Sequence, residues 1–201
     1  MTASPKTLLD HAGAVLKAGT LADSALVLID VQDEYISGAL PLAGVSDALL
    51  RLETLLARAR AARAPVIHVM HHGRPGGLFD PEGPMSRIAT AVAPREGEQV
   101  VAKSEPNAFR SPAFRDAVAA SGRRKLILTG FMTHMCVSTT ARSALSQNVG
   151  VTVVADACAT RDLPSPLGGV VPAATVHEAA LAELADRFAI VVPKVADIAD
   201  R

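Results

Sequence analysis

The chain is poor in cysteine, in large aromatic residues and in charge of either sign. Its 201 residues include two cysteines, Cys136 and Cys158, one tyrosine and no tryptophan. Two cysteines are too few for the disulfide framework of a small secreted domain, so we expect reduced thiols and a cytoplasmic protein. Lys plus Arg equals Asp plus Glu at 20 each. Because there is no basic excess, we expect neither a nucleic-acid nor a membrane partner.

Long hydrophobic runs are also missing. No window approaches the ~18 uninterrupted apolar residues of a membrane-spanning helix. The N-terminal stretch MTASPKTLLDHAGAVLKAG carries Asp10 and His11 and lacks the apolar core of a signal peptide. The hydrophobic fraction is nonetheless 49%, which suffices for one large domain. We expect a single domain over residues 1–201, with its core at about residues 25–193. Zero net charge also fits a protein that buries part of its surface in an oligomer.

Apolar runs alternate with helical patterns along the chain. The runs that predict strands are Ala25–Ile29, Val66–Met70, Val100–Ala102, Leu126–Thr129, Val151–Ala155 and Ala189–Val192. The patterns that predict helices are about Ser46–Arg63, Pro112–Ala120, Cys136–Gln147 and Ala173–Arg187. Residues 71–94 predict a loop with one short helix near Met85–Val92, and residues 161–172 predict a second loop. The alternation indicates a three-layer α/β/α, Rossmann-like fold around a six-stranded parallel sheet.

Three polar residues follow strands at the edge where such folds bind ligands, which is the carboxyl edge of the sheet. They are Asp30, Lys103 and Cys136, an acid, a base and a nucleophile. If the strand order is 3-2-1-4-5-6, the first and fourth strands are neighbours, and Asp30 faces Cys136. The third strand lies two spacings from the first, so Lys103 has to reach inward over roughly 10 Å.

The stretch KLILTGFMTHMCVSTTARSALSQN places Cys136 at the start of a predicted helix. A helix N-terminus favours the thiolate, which is the reactive form of cysteine, so we expect Cys136 to be a nucleophile. Cys158 follows a predicted strand, but the sequence after it, ATRDLPSP, opens no helix. We expect Cys158 to pack in the interior or to form a wall of the site.

Four segments together resemble a known superfamily. ALVLIDVQDEY, VVAKSEPNAF, GFMTHMCVSTTARSA and VTVVADACAT occur in the order found in the isochorismatase-like cysteine hydrolases, over about Leu26 to Val192. That superfamily includes nicotinamidases, N-carbamoylsarcosine amidases and ureidoacrylate or biuret-type amidohydrolases. The resemblance implies the isochorismatase-like hydrolase fold and an amidohydrolase-type member that cleaves a small non-peptide C–N bond. Because many members of the superfamily are oligomers, it also implies a homo-oligomer, a dimer or tetramer.

The resemblance also implies roles for particular residues. The Asp-Lys-Cys triad of the family falls on Asp30, Lys103 and Cys136. The family's non-proline cis peptide falls on the Phe131–Met132 bond. An oxyanion hole would then be formed by the backbone amides of Met132 and Cys136.

Substrate-binding residues and cofactors complete the expectations. We expect Phe109, Phe131 and Gln32 to line the substrate site, with Gln32 bonding locally beside Asp30. The segment HVMHHGRPGGLFDPEGP lacks the Asp-x-His pattern of the metal-binding nicotinamidases, so we expect no metal and no organic cofactor. His71 and His72 are adjacent, so in an extended segment their side chains point to opposite sides, and one of them is free to line the pocket.

Three functions stay open at this point. The first is amide hydrolysis through a thioester on Cys136, with Asp30 as general base and acid and Lys103 as electrostatic support. The second is an isochorismatase-type vinyl-ether hydrolase, in which Asp30 protonates the substrate and Cys136 is a bystander. The third is a non-catalytic small-molecule-binding oligomer on the same fold.

Overall fold

In the computed structural model, which describes residues 4–14 and 17–201, strands and helices alternate along the chain. The strands are β1 (Ala25–Ile29), β2 (Val66–His71), β3 (Gln99–Lys103), β4 (Lys125–Phe131), β5 (Gly150–Ala159), β6 (Leu163–Pro164), β7 (Val170–Val171) and β8 (Ile190–Val192). The helices are α1 (Leu8–His11), α2 (Val45–Ala61), α3 (Pro112–Ala120), α4 (Ser138–Ser146) and α5 (Ala173–Arg187). The expectation that the N-terminal stretch lacks a signal-peptide core falls in part on residues outside those described.

Six strands form one parallel sheet in the order β3-β2-β1-β4-β5-β8. This confirms the predicted order, with β8 as the sixth strand. Because β1 and β4 are neighbours, the residues that follow them lie side by side at the carboxyl edge. Within the described part of the chain, no helix is long and apolar enough to cross a membrane.

Both faces of β1 are buried, as its uninterrupted run ALVLI predicts for a central parallel strand. Leu26 and Leu28 pack on the face covered by α2. The other face is covered by α3, α4 and α5, and Val27 packs there with Phe114 and Leu184. The fold is therefore the three-layer α/β/α arrangement expected from the sequence.

The carboxyl half of β5 differs from the prediction. A strand ending at Ala155 was expected, but β5 continues to Ala159, so Cys158 lies inside a strand and not after one. The pairing of β4 with β5 shifts between Leu128 and Gly130, which is the mark of a bulge. The bulge absorbs the extra residues of β5 and leaves Cys158 opposite Gly130.

The segments around the predicted loops and helix starts also differ in detail. Helix α4 begins at Ser138, and the five residues before it form a π-helical turn, Thr133–Val137. The region expected to hold one short helix holds two 3₁₀ turns, Pro84–Ser86 and Thr90–Val92. The second predicted loop contains the antiparallel pair β6 and β7. The sequence predicts loops in two of these segments, and local sequence pattern does not distinguish one tight turn from another.

Gly130 determines how closely β4 approaches β1. Its φ is +102°, outside the left-handed region that other residues tolerate. A Cβ at this position would lie 2.1 Å from the carbonyl oxygen of Ile29. Only glycine lets the two strands that flank the site meet at this point.

We predict that Gly130→Ala lowers the free energy of unfolding by on the order of 3 kcal/mol, because strain in φ adds to a clash with rigid backbone. Gly122→Ala is the matched control. Gly122 has φ +66°, and a Cβ added there would meet nothing within 4 Å. Gly122→Ala should therefore lower the free energy of unfolding by only about 1 kcal/mol. Urea unfolding of both variants measures the difference. Equal losses would contradict the role assigned to the β1–β4 approach.

Candidate active site

Asp30 follows the last residue of β1 and has an unusual backbone conformation. Its φ is +51°, which aspartate tolerates better than most residues. The turn is held by two backbone hydrogen bonds: the N–H of Asp30 donates to the carbonyl of Val69, and the N–H of Gln32 donates to the carbonyl of Asp30. The side chain is fully buried, so the turn delivers a carboxylate to the interior at the carboxyl edge of the sheet.

Lys103 is the last residue of β3 and reaches across the edge of β2 to Asp30. Its side chain is 1% exposed, and its Nζ lies 2.7 Å from Asp30 Oδ2. The same ammonium lies 3.4 Å from Cys136 Sγ. The long reach anticipated from strand order is therefore present, and the three side chains form one buried cluster.

The π-helical turn before α4 carries Cys136. The N–H groups of Met135 and Val137 both donate to the carbonyl of Met132, and Thr133 Oγ1 donates to the carbonyl of Ala159. These bonds tie the turn to itself and to the end of β5. The bond between Phe131 and Met132 is cis, as the family resemblance implies.

The electrostatics of the cluster correct one expectation. We expected a helix start to favour the thiolate of Cys136. Instead, burial and the neighbouring Asp30 carboxylate raise the pKa of the thiol to about 12. Cys136 precedes the first residue of α4 and is 5% exposed, so desolvation of the anion outweighs any benefit from the helix dipole.

Asp30 itself responds to burial in the same direction. Desolvation raises the pKa of this carboxyl above its usual range, and the Lys103 ammonium opposes that rise. Its second oxygen, Oδ1, is buried and has no hydrogen-bond partner in the described part of the protein. The neutral Cys136 thiol thus lies beside a carboxyl group with a raised pKa and one oxygen free to accept a hydrogen bond. This arrangement is suited to proton transfer from sulfur to Asp30.

His71 joins the cluster, although the sequence left its role open. Its Nδ1 lies 3.3 Å from Lys103 Nζ. Burial, and then the charge of Lys103, lower the pKa of His71 to about 4, so the ring is neutral near pH 7. The signal that could have found it is register: His71 is the last residue of β2 and pairs with Lys103.

Two of the expected substrate-site residues, Gln32 and Phe109, are buried, as the three clustered side chains are. Gln32 is fully buried, and its amide bonds both backbone groups of His71 and the carbonyl of Ser86. Phe109 packs edge-on against Phe114 at a centroid distance of 5.0 Å. It lines a cavity between α3 and the segment that follows α4, and none of the three clustered side chains lines that cavity.

An aromatic wall, formed by Tyr35, Phe79 and Phe131, stands beside the cluster. The ring centroids of Tyr35 lie 4.8 Å from Phe79 and 6.0 Å from Phe131. Burial raises the pKa of Tyr35, and the nearby Asp30 carboxylate adds to the effect. Phe131, an expected substrate-site residue, is fully buried and contacts Tyr35 in this wall, whereas the sequence did not indicate Tyr35.

Other polar groups lie apart from this cluster. A cavity of about 1060 Å³ beyond the end of β5 is lined by Cys158, Thr160 and His177, and by none of the three clustered side chains. Among residues 4–14 and 17–201, no three His, Cys, Asp or Glu side chains are grouped in a way that could hold a metal ion.

Comparison with known proteins agrees with the geometry. The family model described as Isochorismatase domain matches residues 24–194. The crystal structure of an isochorismatase from Pseudomonas putida KT2440 superposes with a TM-score of 0.92 at 41% identity, covering 96% of this chain and 99% of that one.

Three curated relatives are similar over most of this chain. The secreted isochorismatase effector Isc1 of Verticillium dahliae is 39% identical, over 85% of this chain and 87% of its own length. A streptothricin hydrolase of Streptomyces noursei is 36% identical over 87% of this chain, which spans 63% of that protein. The ureidoacrylate amidohydrolase RutB of Pseudomonas savastanoi is 28% identical over 67% of this chain and 70% of its own length. Because the family model matches most of its residues and its fold is that of a solved isochorismatase, the chain belongs to the isochorismatase family.

Proposed function

We propose that this hydrolase cleaves a small non-peptide amide, carbamoyl or ureido C–N bond through a thioester on Cys136. The observation that carries the proposal is the position of one buried ammonium, Lys103 Nζ, which lies 2.7 Å from Asp30 Oδ2 and 3.4 Å from Cys136 Sγ. A nucleophile, a base and a cation in contact are the parts that covalent acyl transfer needs. The hydrolases among its relatives, one of them an amidohydrolase by name, support the same class of reaction.

In the first half of the proposed reaction, Asp30 takes the proton of the Cys136 thiol and the sulfur attacks the substrate carbonyl carbon. Because the free thiol is neutral, proton transfer and attack are coupled, and Lys103 stabilises the anion that forms. The negative charge then passes to the carbonyl oxygen. The backbone N–H groups of Met132 and Cys136 are the proposed donors to it, and no acceptor for the Met132 N–H is found among the described residues.

In the second half, the C–N bond breaks and Asp30 gives its proton to the departing nitrogen. The acyl group remains on sulfur as a thioester. Asp30, ionised again, takes a proton from an entering water, whose oxygen attacks the thioester carbon. The tetrahedral intermediate then collapses, the C–S bond breaks and the carboxylic acid product is released. Asp30 returns its proton to sulfur, so the enzyme gains or loses no net proton.

We predict that Cys136→Ala lowers amide hydrolysis by roughly 10³-fold or more, because the covalent route is lost. The measurement is ammonia release from a panel of carbamoyl, ureido and simple amide compounds, with mass spectrometry to detect an acyl adduct on the wild-type chain. Cys158→Ala is the matched control and should retain activity, because Cys158 lies outside the cluster. Full activity in Cys136→Ala would end the proposal.

We also predict an acidic limb in the pH profile of kcat/KM, with its midpoint above the ordinary aspartate pKa of 3.8. The reason is that Asp30 must be ionised to act as base, and burial raises its pKa, so activity is lost as pH falls through that raised value. The pKa of Asp156 is raised as well, so Asp156→Asn is the control and should leave the limb in place. A midpoint at or below 3.8, or one displaced in Asp156→Asn, would exclude Asp30 as the titrating base.

Vinyl-ether hydrolysis is the second candidate function. Its support is the similarity to the isochorismatase effector, together with the raised pKa of Asp30, because a protonated carboxyl could protonate an enol ether directly. The two candidates differ in their need for sulfur. We expect Cys136→Ser to lose amide turnover; retained turnover of an enol-ether substrate by that variant would favour the second candidate.

A further inference from the structure

The ammonium of Lys103 has three N–H donors and three neighbours placed to accept them. Besides Asp30 Oδ2 and Cys136 Sγ, the third is His71 Nδ1 at 3.3 Å. The side chain of Lys103 is 1% exposed, so water cannot readily replace a missing acceptor. An unpaired donor on a buried cation is costly, which makes the third acceptor as consequential as the other two.

His71 is in the form that can fill this place. Burial and Lys103 keep the pKa of the imidazole near 4, so the ring is neutral. Because Nδ1 faces an ammonium, which can only donate, we assign the lone pair to Nδ1 and the proton to Nε2. The ring also packs edge-on against Phe79, with centroids 5.3 Å apart. Both contacts hold the ring in one orientation.

The backbone of His71 is held as firmly as its ring. Gln32 Oε1 accepts from the N–H of His71 at 2.8 Å, and Gln32 Nε2 donates to the carbonyl of His71 at 3.0 Å. The same Nε2 donates to the carbonyl of Ser86 at 2.7 Å. Gln32 lies two residues after Asp30, so one short segment supplies both the carboxylate and the clamp that holds the end of β2.

We infer that His71 is a positioning residue, which holds the Lys103 ammonium between Asp30 and Cys136 through its Nδ1 and is itself clamped by Gln32. The inference deepens the proposed function and rests on it, because the position of the ammonium matters for the charge of the sulfur. Without the third acceptor, the ammonium is drawn from the buried site toward water. The positive electrostatic potential that Lys103 creates at Sγ then falls, and a smaller fraction of Cys136 is thiolate at any given pH.

Two substitutions separate the hydrogen bond from the shape of the ring. His71→Phe keeps an aromatic ring against Phe79 but removes the acceptor. His71→Asn loses the ring but places Oδ1 where Nδ1 was, at the same distance from Cα. If only packing matters, phenylalanine should be the milder change; if the acceptor matters, asparagine should be.

The experiment measures the rate at which iodoacetamide alkylates Cys136 at pH 8, with peptide mass mapping to separate it from Cys158. We expect His71→Phe to react about tenfold more slowly than the wild-type chain, and His71→Asn to stay within about threefold of it. His72→Leu is the matched control, because only the backbone of His72 bonds Lys103, and it should react like the wild type. A wild-type rate in His71→Phe, or an equally slow rate in His71→Asn, overturns the inference.

Further measurements distinguish a loss of folding, and a failure of the proposed function, from the positioning role of His71. A far-UV circular dichroism spectrum that departs from that of the wild type marks an unfolded variant, in which case His71→Leu replaces His71→Phe with the same expectation. On any amide that the wild type hydrolyses, we expect His71→Phe to lower kcat with little change in KM. If the wild type hydrolyses none, the proposed function fails, whereas the alkylation rates still decide the part played by His71.

Discussion

The ion pair between Lys103 and Asp30 is the interaction on which the site depends. Both side chains are almost wholly removed from water, and a buried charge is tolerated only when it is paired and hydrogen-bonded. The pair draws an edge strand and the central strand β1 to a common point across β2. Because Lys103 also contacts Cys136 and His71, the groups that support reaction share one cation.

The architecture of the sheet makes this convergence possible. Parallel strands bring their carboxyl ends to one edge, and Gly130 allows β4 to approach β1 closely enough for Asp30 and Cys136 to become neighbours. The π-helical turn then separates the end of β4 from the start of α4 and presents Cys136 before the helix begins. These backbone devices each involve a conformation that few residues adopt, and they are concentrated around the triad, as is usual where geometry serves function.

The protonation state of the cluster gives the proposed chemistry its character. A helix N-terminus would have suggested a preformed thiolate, but burial and the Asp30 carboxylate keep sulfur protonated until a base removes the proton. The raised pKa of Asp30 complements this, because a carboxyl group that both accepts and returns protons is most effective when its pKa is close to the working pH. In the proposed reaction, negative charge passes from Asp30 through sulfur to the substrate oxygen, while Lys103 stays positive and the total charge of the buried site stays constant.

The sequence by itself determined the alternation of strands and helices, the layers of the fold, the family and the three residues at the carboxyl edge, because apolar periodicity and local motifs encode these features directly. The strand order entered as an assumption typical of the fold class, and the structure supplied it. The sequence did not determine the neutrality of Cys136, the continuation of β5 past Ala155, or the places of Gln32, Phe109 and His71. Those depend on desolvation, on a bulge between neighbouring strands, and on contacts between residues far apart in the chain. Such effects arise only when segments are packed together, so tertiary structure alone decided them.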